Sequence, residues 1–234
     1  MISKSASRLE GFLYLEKCPS TNSFLIERKD FLERHGRGVY TLNQSAGRGR
    51  LGNIWYSPPG NLAMSMVLHA QNWRAASLLP LRVGLIAYKT LSSYDSSLCI
   101  KWPNDILREG KKVAGILCEA VEGVLCPPAV AVVVGLGVNL KPIGAMVAHV
   151  EANGHLLARE LAVSLCQISG EEETLDQVFI SQWEKAAHLP CEFYYAKKGK
   201  SYLAHKLFPN GILQVSTGSE YFYFSSMEIL DKAG

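Results

Sequence analysis

The sequence predicts an α+β fold: a mixed, largely antiparallel sheet carrying helices, with a small β-module at its C-terminal end. Three observations predict it. Strand-like apolar runs follow one another without the regular βαβ alternation of a parallel sheet. Helical periodicity is confined to a few segments. After Pro190 the chain turns aromatic, in short alternating runs broken by turn residues. Hydrophobic residues make up 48% of the 234 and charged residues 19%, which allows a sizeable core and is unlike a disordered chain.

The elements follow in order. Ser20-Thr21-Asn22 caps a helix through FLIERKDFLERH that ends at Gly36. Residues 39–42 form a strand running into a glycine-rich loop, and residues 61–69 form another. Residues 78–91 make a buried helix with Pro80 in its first turn. Residues 99–102 are a short strand stopped by Pro103 and a polar turn at Asn104-Asp105. Two strands, 112–121 and 128–140, come next, the first after a hairpin turn at Glu109-Gly110. Residues 156–168 have helical periodicity. A further helix, 174–187, opens with the capping box Thr174-Leu-Asp-Gln177. The runs EFYYAKK, SYLAHKLF, GILQVS and EYFYFS then suggest a small β-barrel. This divides the chain into a main domain, residues 1–188, and a C-terminal domain, residues 189–234.

Composition excludes several classes. The net charge is +3, and the basic residues are spread, with small groups at Arg48/Arg50, Lys111/Lys112 and Lys197/Lys198. A nucleic-acid binder shows a stronger or more clustered excess. The opening MISKSASRLEGFLYLEK lacks the apolar stretch of a signal peptide, and AVAVVVGLGVNL is too short to span a bilayer. The six cysteines form no C-x-x-C pair and sit largely in apolar runs, as reduced core residues of a cytoplasmic protein do. The six histidines lack metal-type spacing, so no transition-metal site is expected.

Gly47-Arg-Gly49-Arg-Leu-Gly52 formally matches the G-x-G-x-x-G phosphate pattern. A dinucleotide fold needs those glycines to open a helix. Here Pro58, Pro59 and Gly60 soon follow and cannot propagate one. The acidic residue about 20 positions on is also missing. What remains is a flexible loop bearing Arg48 and Arg50, whose forked donors suit carboxylate and phosphate oxygens. The plain alternative is a solvated surface loop.

Two further segments carry polar residues at strand ends. Lys101-Trp-Pro-Asn-Asp105 places Asn104 and Asp105 where pairing stops; Asn104 can read a base edge, and Asp105 can bind Mg²⁺ or orient a lysine. An ordinary Asx turn is the alternative. Lys112 enters the next strand beside Ala114-Gly115, where small residues permit close ligand approach. Gly135-Leu-Gly137-Val-Asn139 ends a very apolar strand, so either something packs on its backbone or the strand bulges there.

These pieces occur in an order that resembles the catalytic domain of the biotin protein ligases. They are Ser20-Thr21-Asn22, Gln44-x-x-Gly47-Arg48-Gly49-Arg50-x-Gly52, Trp55-x-Ser57-Pro58, Asn61-Leu62-x-x-Ser65, Lys101-Trp102-Pro103-Asn104-Asp105, Lys112-x-x-Gly115-Ile116-Leu117-x-Glu119 and Gly135-x-Gly137-x-Asn139. The resemblance covers nearly the whole chain, including Ser181-Gln-Trp183-Glu184 and the C-terminal module. It implies a catalytic domain related to class II aminoacyl-tRNA synthetases, followed by an SH3-like barrel. Some members carry an N-terminal DNA-binding domain and act as repressors. Here Ser20 lies so near the start that a ligase without that function, and without DNA binding, is implied. Two departures stand out: Asn53 replaces a third arginine of the pattern G-R-G-R-x-G-R-x-W, and the turn Gly60-Asn61-Leu62 is one residue shorter.

The resemblance implies two steps. Biotin's carboxylate attacks the α-phosphate of ATP, giving biotinyl-5′-AMP and pyrophosphate. A lysine of a biotin carboxyl carrier domain then takes the biotinyl group and AMP leaves. By the same match, Ser20, Thr21, Asn22, Gln44, Gly47, Gly49 and Gly115 belong to the biotin site with Arg48, Arg50 and Lys112. Trp55, Lys101, Asn104 and Asn139 lie toward ATP, again with Arg48, Arg50 and Lys112. Arg48, Arg50, Lys112 and Asp105 form the catalytic set, with Mg²⁺ on the phosphates and no resident metal. The protein is expected to be a monomer or a weak homodimer, away from membranes. A lipoate or octanoate ligase or transferase shares the general fold but carries R-R-x-S-G-G-G, absent here. A nucleic-acid-binding module is the alternative outside enzymes; its mark is steep salt dependence.

Overall fold

The computed structural model describes residues 11–144, 147–195, 198–225 and 230–232. Its centre is an eight-stranded sheet in the order β1 (Phe12–Tyr14), β2 (Gly38–Thr41), β5 (Leu62–Ala70), β9 (Val130–Val138), β8 (Lys111–Val121), β7 (Asp105–Arg108), β6 (Leu98–Lys101). Neighbours are antiparallel except β1 on β2 and a last strand, β14 (Leu230–Lys232), which lies parallel to the end of β8. The expected mixed, largely antiparallel sheet is therefore present. A two-stranded hairpin, β3 (Gly47–Arg48) with β4 (Ile54–Trp55), stands off it.

β5 and β9 are buried along almost their whole length, which explains their unbroken apolar sequences. One face is covered by α3 (Trp73–Ser92) and α4 (Gly154–Leu165), whose Leu79, Val83, Leu157 and Leu161 join the main core. The other face receives α1 (Thr21–Ile26) and α2 (Lys29–Leu32), through Leu25, Phe31 and Leu32 on Val67 and Val133.

Several boundaries depart from expectation, each for a local reason. The first helix breaks into two because Arg28 is extended (φ −125°, ψ 96°). Its guanidinium turns back onto Phe24, donating to the carbonyl at 2.7 Å and covering the ring at 3.7 Å. α3 starts five residues early, capped by Asn72 accepting from the Ala75 N–H, so Pro80 lies inside the helix rather than in its first turn. α4 likewise starts early, on the Asn153 cap.

The last helix, α5 (Gln177–Ala186), is capped by Asp176, not Thr174. Long-range bonds hold Thr174 and Leu175 instead: Arg82 donates to the Thr174 carbonyl, and the Leu175 N–H reaches the Pro209 carbonyl. Asp105 opens a strand, β7, where the sequence suggested that pairing ends. The expected turn at Glu109-Gly110 is present, both residues having positive φ.

The C-terminal aromatic runs form β10 (Cys191–Tyr195), β11 (Lys200–Leu207), β12 (Leu213–Thr217) and β13 (Glu220–Phe224), an antiparallel meander. The first run continues over residues 196–197, and Lys197 lies outside the described residues. Among the described residues no strand pairing closes this sheet into the expected SH3-like barrel. Nor does the sheet own a separate core. Phe193, Tyr202, Leu213 and Phe224 pack in one cluster with Leu78 and Leu81 of α3, Trp102, and Trp183 of α5.

Candidate active site

A cavity of about 250 Å³ opens over the middle of the large sheet. Its floor is β5, β8 and β9; its roof is the β3–β4 hairpin with the short 3₁₀ turn Arg50–Gly52 between. One end is polar and closed. There Ser20 caps α1, and the Thr21 N–H and hydroxyl both reach Gln44 Oε1, at 2.9 and 3.3 Å. Ser65 Oγ lies 2.7 Å from Thr21 Oγ1 and 2.5 Å from Asn22 Oδ1, so its one proton serves two acceptors. Nearby Cys18 is 2% exposed, and burial pushes its thiol pKa up; it stays neutral and unsuited to nucleophilic attack.

The two strand glycines are explained by what lies on them. A Cβ at Gly135 would fall 2.2 Å from Asn22 Oδ1, and one at Gly137 would fall 2.4 Å from the Trp55 indole. No side chain can stand at either place while Asn22 and Trp55 keep theirs. Something does pack on this strand's backbone. Gly47 is needed for the same reason, since its Cβ would meet the Trp55 carbonyl at 2.4 Å. In the loop itself only Leu51 (φ 56°) and Gly52 (φ 77°) take the left-handed conformation.

The other end is cationic. Arg50, Lys101 and Lys112 line the wall there, and Arg48 lies nearer the polar end, bonded to the same Glu119 oxygen as Asn22. Asp105 is the sole lining carboxylate among the described residues, so the cavity favours anions. Lys112 Nζ lies 2.6 Å from Asp105 Oδ1 and 5.2 Å from the centre of the Trp55 ring. Asn104 lines the wall too, but its amide donates to the Ile116 carbonyl at 2.8 Å, where it braces β8. Asn53 donates to the Arg50 carbonyl at 2.9 Å, closing the turn where a third arginine was expected.

Most residues expected from the sequence meet here. Two do not reach the wall. Gly47 is packed behind Trp55, and Asn139 spends its amide on the Lys112 and Ala148 carbonyls at 3.1 and 3.2 Å. Asn139 therefore holds the start of β8 rather than lining the cavity. The sequence reading also left residues out. Glu119, 3% exposed, accepts from Asn22 Nδ2 and Arg48 Nη2, both at 2.7 Å. A lone acid within the apolar run ILCEAV was a usable signal. Tyr194 and Tyr195 of β10 also line the cavity; nothing local in their run announces it.

Residues 14–139, just over half of the chain, match the model of the biotin/lipoate A/B protein ligase family. The chain belongs to that family. Among the ligases it is similar to is the biotin–[acetyl-CoA-carboxylase] ligase of Paracoccus denitrificans, 44% identical over 106 residues, 44% of this chain and 43% of that one. The bifunctional ligase/repressor BirA of Escherichia coli is 36% identical over 124 residues, 52% of this chain and 38% of that protein. The chain thus spans less than half the length of these two relatives. Among solved structures, the biotin protein ligase of Aquifex aeolicus in complex with biotin and ATP superposes with a TM-score of 0.68 at 21% identity, covering 92% of this chain and 95% of that one. The Helicobacter pylori biotin acetyl coenzyme A carboxylase synthetase gives 0.65 at 21% identity, over 91% and 99%. At such identities the likeness is one of fold.

Proposed function

We propose that this family member is an ATP-dependent biotin–protein ligase acting through biotinyl-5′-AMP. The observation that carries this is the shape of one cavity: a closed polar end joined to a cationic end. A ureido group, with two donors and one acceptor, suits the ring of Ser20, Thr21, Asn22 and Gln44. A lipoyl dithiolane offers those polar groups nothing. Biotin's carboxylate then points toward Lys112, Arg48 and Arg50.

The first step brings two anions together, so it depends on fixed positive charge and positioning more than on proton transfer. Lys112, oriented by Asp105, holds the carboxylate as it meets the α-phosphate. Arg48 and Arg50 take up charge on the phosphate oxygens, and Trp55 separates this end from the polar one. The hairpin roof shields the mixed anhydride from water. The acceptor lysine comes from the partner, so no enzyme nucleophile is required.

Mg²⁺ fits only as an ion carried by the nucleotide. The cavity wall offers Asp105 alone as a carboxylate, and no cluster of three metal-binding side chains exists among the described residues. Mg²⁺ commonly keeps one or two protein carboxylates and relies on phosphates; it would neutralise phosphate charge when bound. The partner is a biotin carboxyl carrier domain, and the enzyme works in the cytoplasm as a monomer or weak homodimer, without binding DNA. No described helix is long and apolar enough to cross a membrane.

The test is exchange of labelled pyrophosphate into ATP. Exchange that requires biotin, with label passing from biotin to a carrier domain, is the expected result. Exchange with lipoate and not with biotin would overturn the reading.

A further inference from the structure

We propose that Glu119 is a positioning residue that fixes the Arg48 guanidinium, and with it the hairpin roof, over the cavity. The inference rests on the ligase reading for its substrate and on geometry for the rest.

Glu119 sits on β8 at 3% exposure, among Leu117, Cys118 and Ala120. A buried carboxylate is tolerable only if charge and hydrogen bonds compensate it. Its Oε2 receives both compensating donors, Arg48 Nη2 and Asn22 Nδ2, each at 2.7 Å. Neither donor is free to wander. Asn22 is held from the other side by Ser65 and rests directly on the Gly135 backbone. Arg48 belongs to β3, which among the described residues pairs with β4 alone. The Arg48–Glu119 ion pair therefore ties that hairpin to the large sheet.

A guanidinium has five N–H donors in a rigid fork. The bond to Glu119 occupies one nitrogen, and the half-exposed remainder lines the cavity. Pinning one arm sets the direction of the others. The same carboxylate oxygen orients Asn22, so one buried group holds two neighbouring lining residues of the proposed biotin site.

The test uses the full chain carrying Glu119→Gln, which keeps shape and loses charge. Limited trypsin digestion, followed by mass spectrometry at Arg48 and Arg50, reads the attachment of the roof without any assay of activity. Cleavage there should rise about tenfold, as loss of one hydrogen bond to a charged group allows. The biotin KM should also rise about tenfold, and kcat should fall with it, because Arg48 loses its direction toward the phosphate.

Unchanged cleavage and unchanged KM would overturn the proposal. So would a fall in Tm with cleavage at Arg48 and Arg50 unchanged, the pattern of a merely structural acid. If Glu119→Gln does not fold, Arg48→Met removes the pair from its half-exposed side, and cleavage at Arg50 must rise equally; an unchanged rate overturns the proposal. Should wild-type protein lack biotin-dependent exchange, the ligase reading fails, and cleavage alone decides whether Glu119 holds the roof.

Discussion

Lys112 and Asp105 form an ion pair at 2.6 Å on adjacent strands, beside a register shift between Ile106 and Leu107. The shift puts Lys112 opposite Leu107 and turns its ammonium across to Asp105. The pair can therefore act as one unit, with the carboxylate aiming the cation.

Lys112→Ala should lower biotin-dependent pyrophosphate exchange by about 10²–10³-fold, the usual cost of losing one group that stabilises developing charge. Asp105→Asn should cost about tenfold, because the cation stays and loses only its guide. Both proteins should keep the wild-type far-UV circular dichroism. A fully active Lys112→Ala protein would remove Lys112 from the catalytic set.

Gly137→Ala would place a methyl group 2.4 Å from the Trp55 indole, so the ring must move. Exchange should fall about a hundredfold, as displacements near 1 Å at a site can cause. Tryptophan emission should shift as well. Gly84→Ala, inside α3, is the control: its Cβ would meet Ile116 Cδ1 of β8 at 3.7 Å, an ordinary contact. It should raise stability by about 1 kcal/mol and leave exchange alone. Equal loss in both variants would mean that the Gly137 effect has nothing to do with Trp55.

Sequence reasoning went furthest where one residue type has few uses. Gly135 and Gly137 inside a buried strand pointed to close approach or a bulge, and Asn22 and Trp55 supply the close approach. Pro58 and Pro59 ruled out the dinucleotide helix, and the loop is indeed a hairpin. It fell short where tertiary context decides. Asn104 suggested a base-reading amide and the resemblance put Asn139 toward ATP, yet both spend donors on backbone carbonyls. Thr174 matched a capping box, but long-range bonds from Arg82 and to Pro209 override it. The return of β14 to β8 has no local signal at all.

Trp102 joins the two sheets. It stacks on Phe224 with ring centres 5.6 Å apart and meets Phe193 and Tyr195 edge-on at 6.1 and 5.3 Å. Trp102→Ala should cost about 3–5 kcal/mol, as aromatic truncations in cores do. At this chain length that corresponds to a fall in Tm of roughly 6–20 °C. Tyr194 and Tyr195 line the cavity from β10, so the residual folded protein should also bind ATP more weakly. An unchanged Tm would mean that the small sheet is held by α5 and α3 alone.

Tyr94 links the end of α3 to α4 by donating to Glu160 Oε2 at 2.7 Å. Burial, then that hydrogen bond and the carboxylate's charge, push its pKa up to about 12. The unfolded phenol ionises near its ordinary value of about 10. Folding therefore retains a proton that the unfolded chain gives up between these values. The contribution is complete below pH 10 and is lost as pH rises toward 12. Thermal melts of wild type and Tyr94→Phe should differ by a constant amount from neutral pH to about 9, with the gap closing above pH 10. Absorbance at 295 nm gives the independent reading. The substitution should remove one tyrosine from the late, high-pH part of the titration, and a loss of amplitude near pH 10 instead would show that Glu160 does not hold the proton.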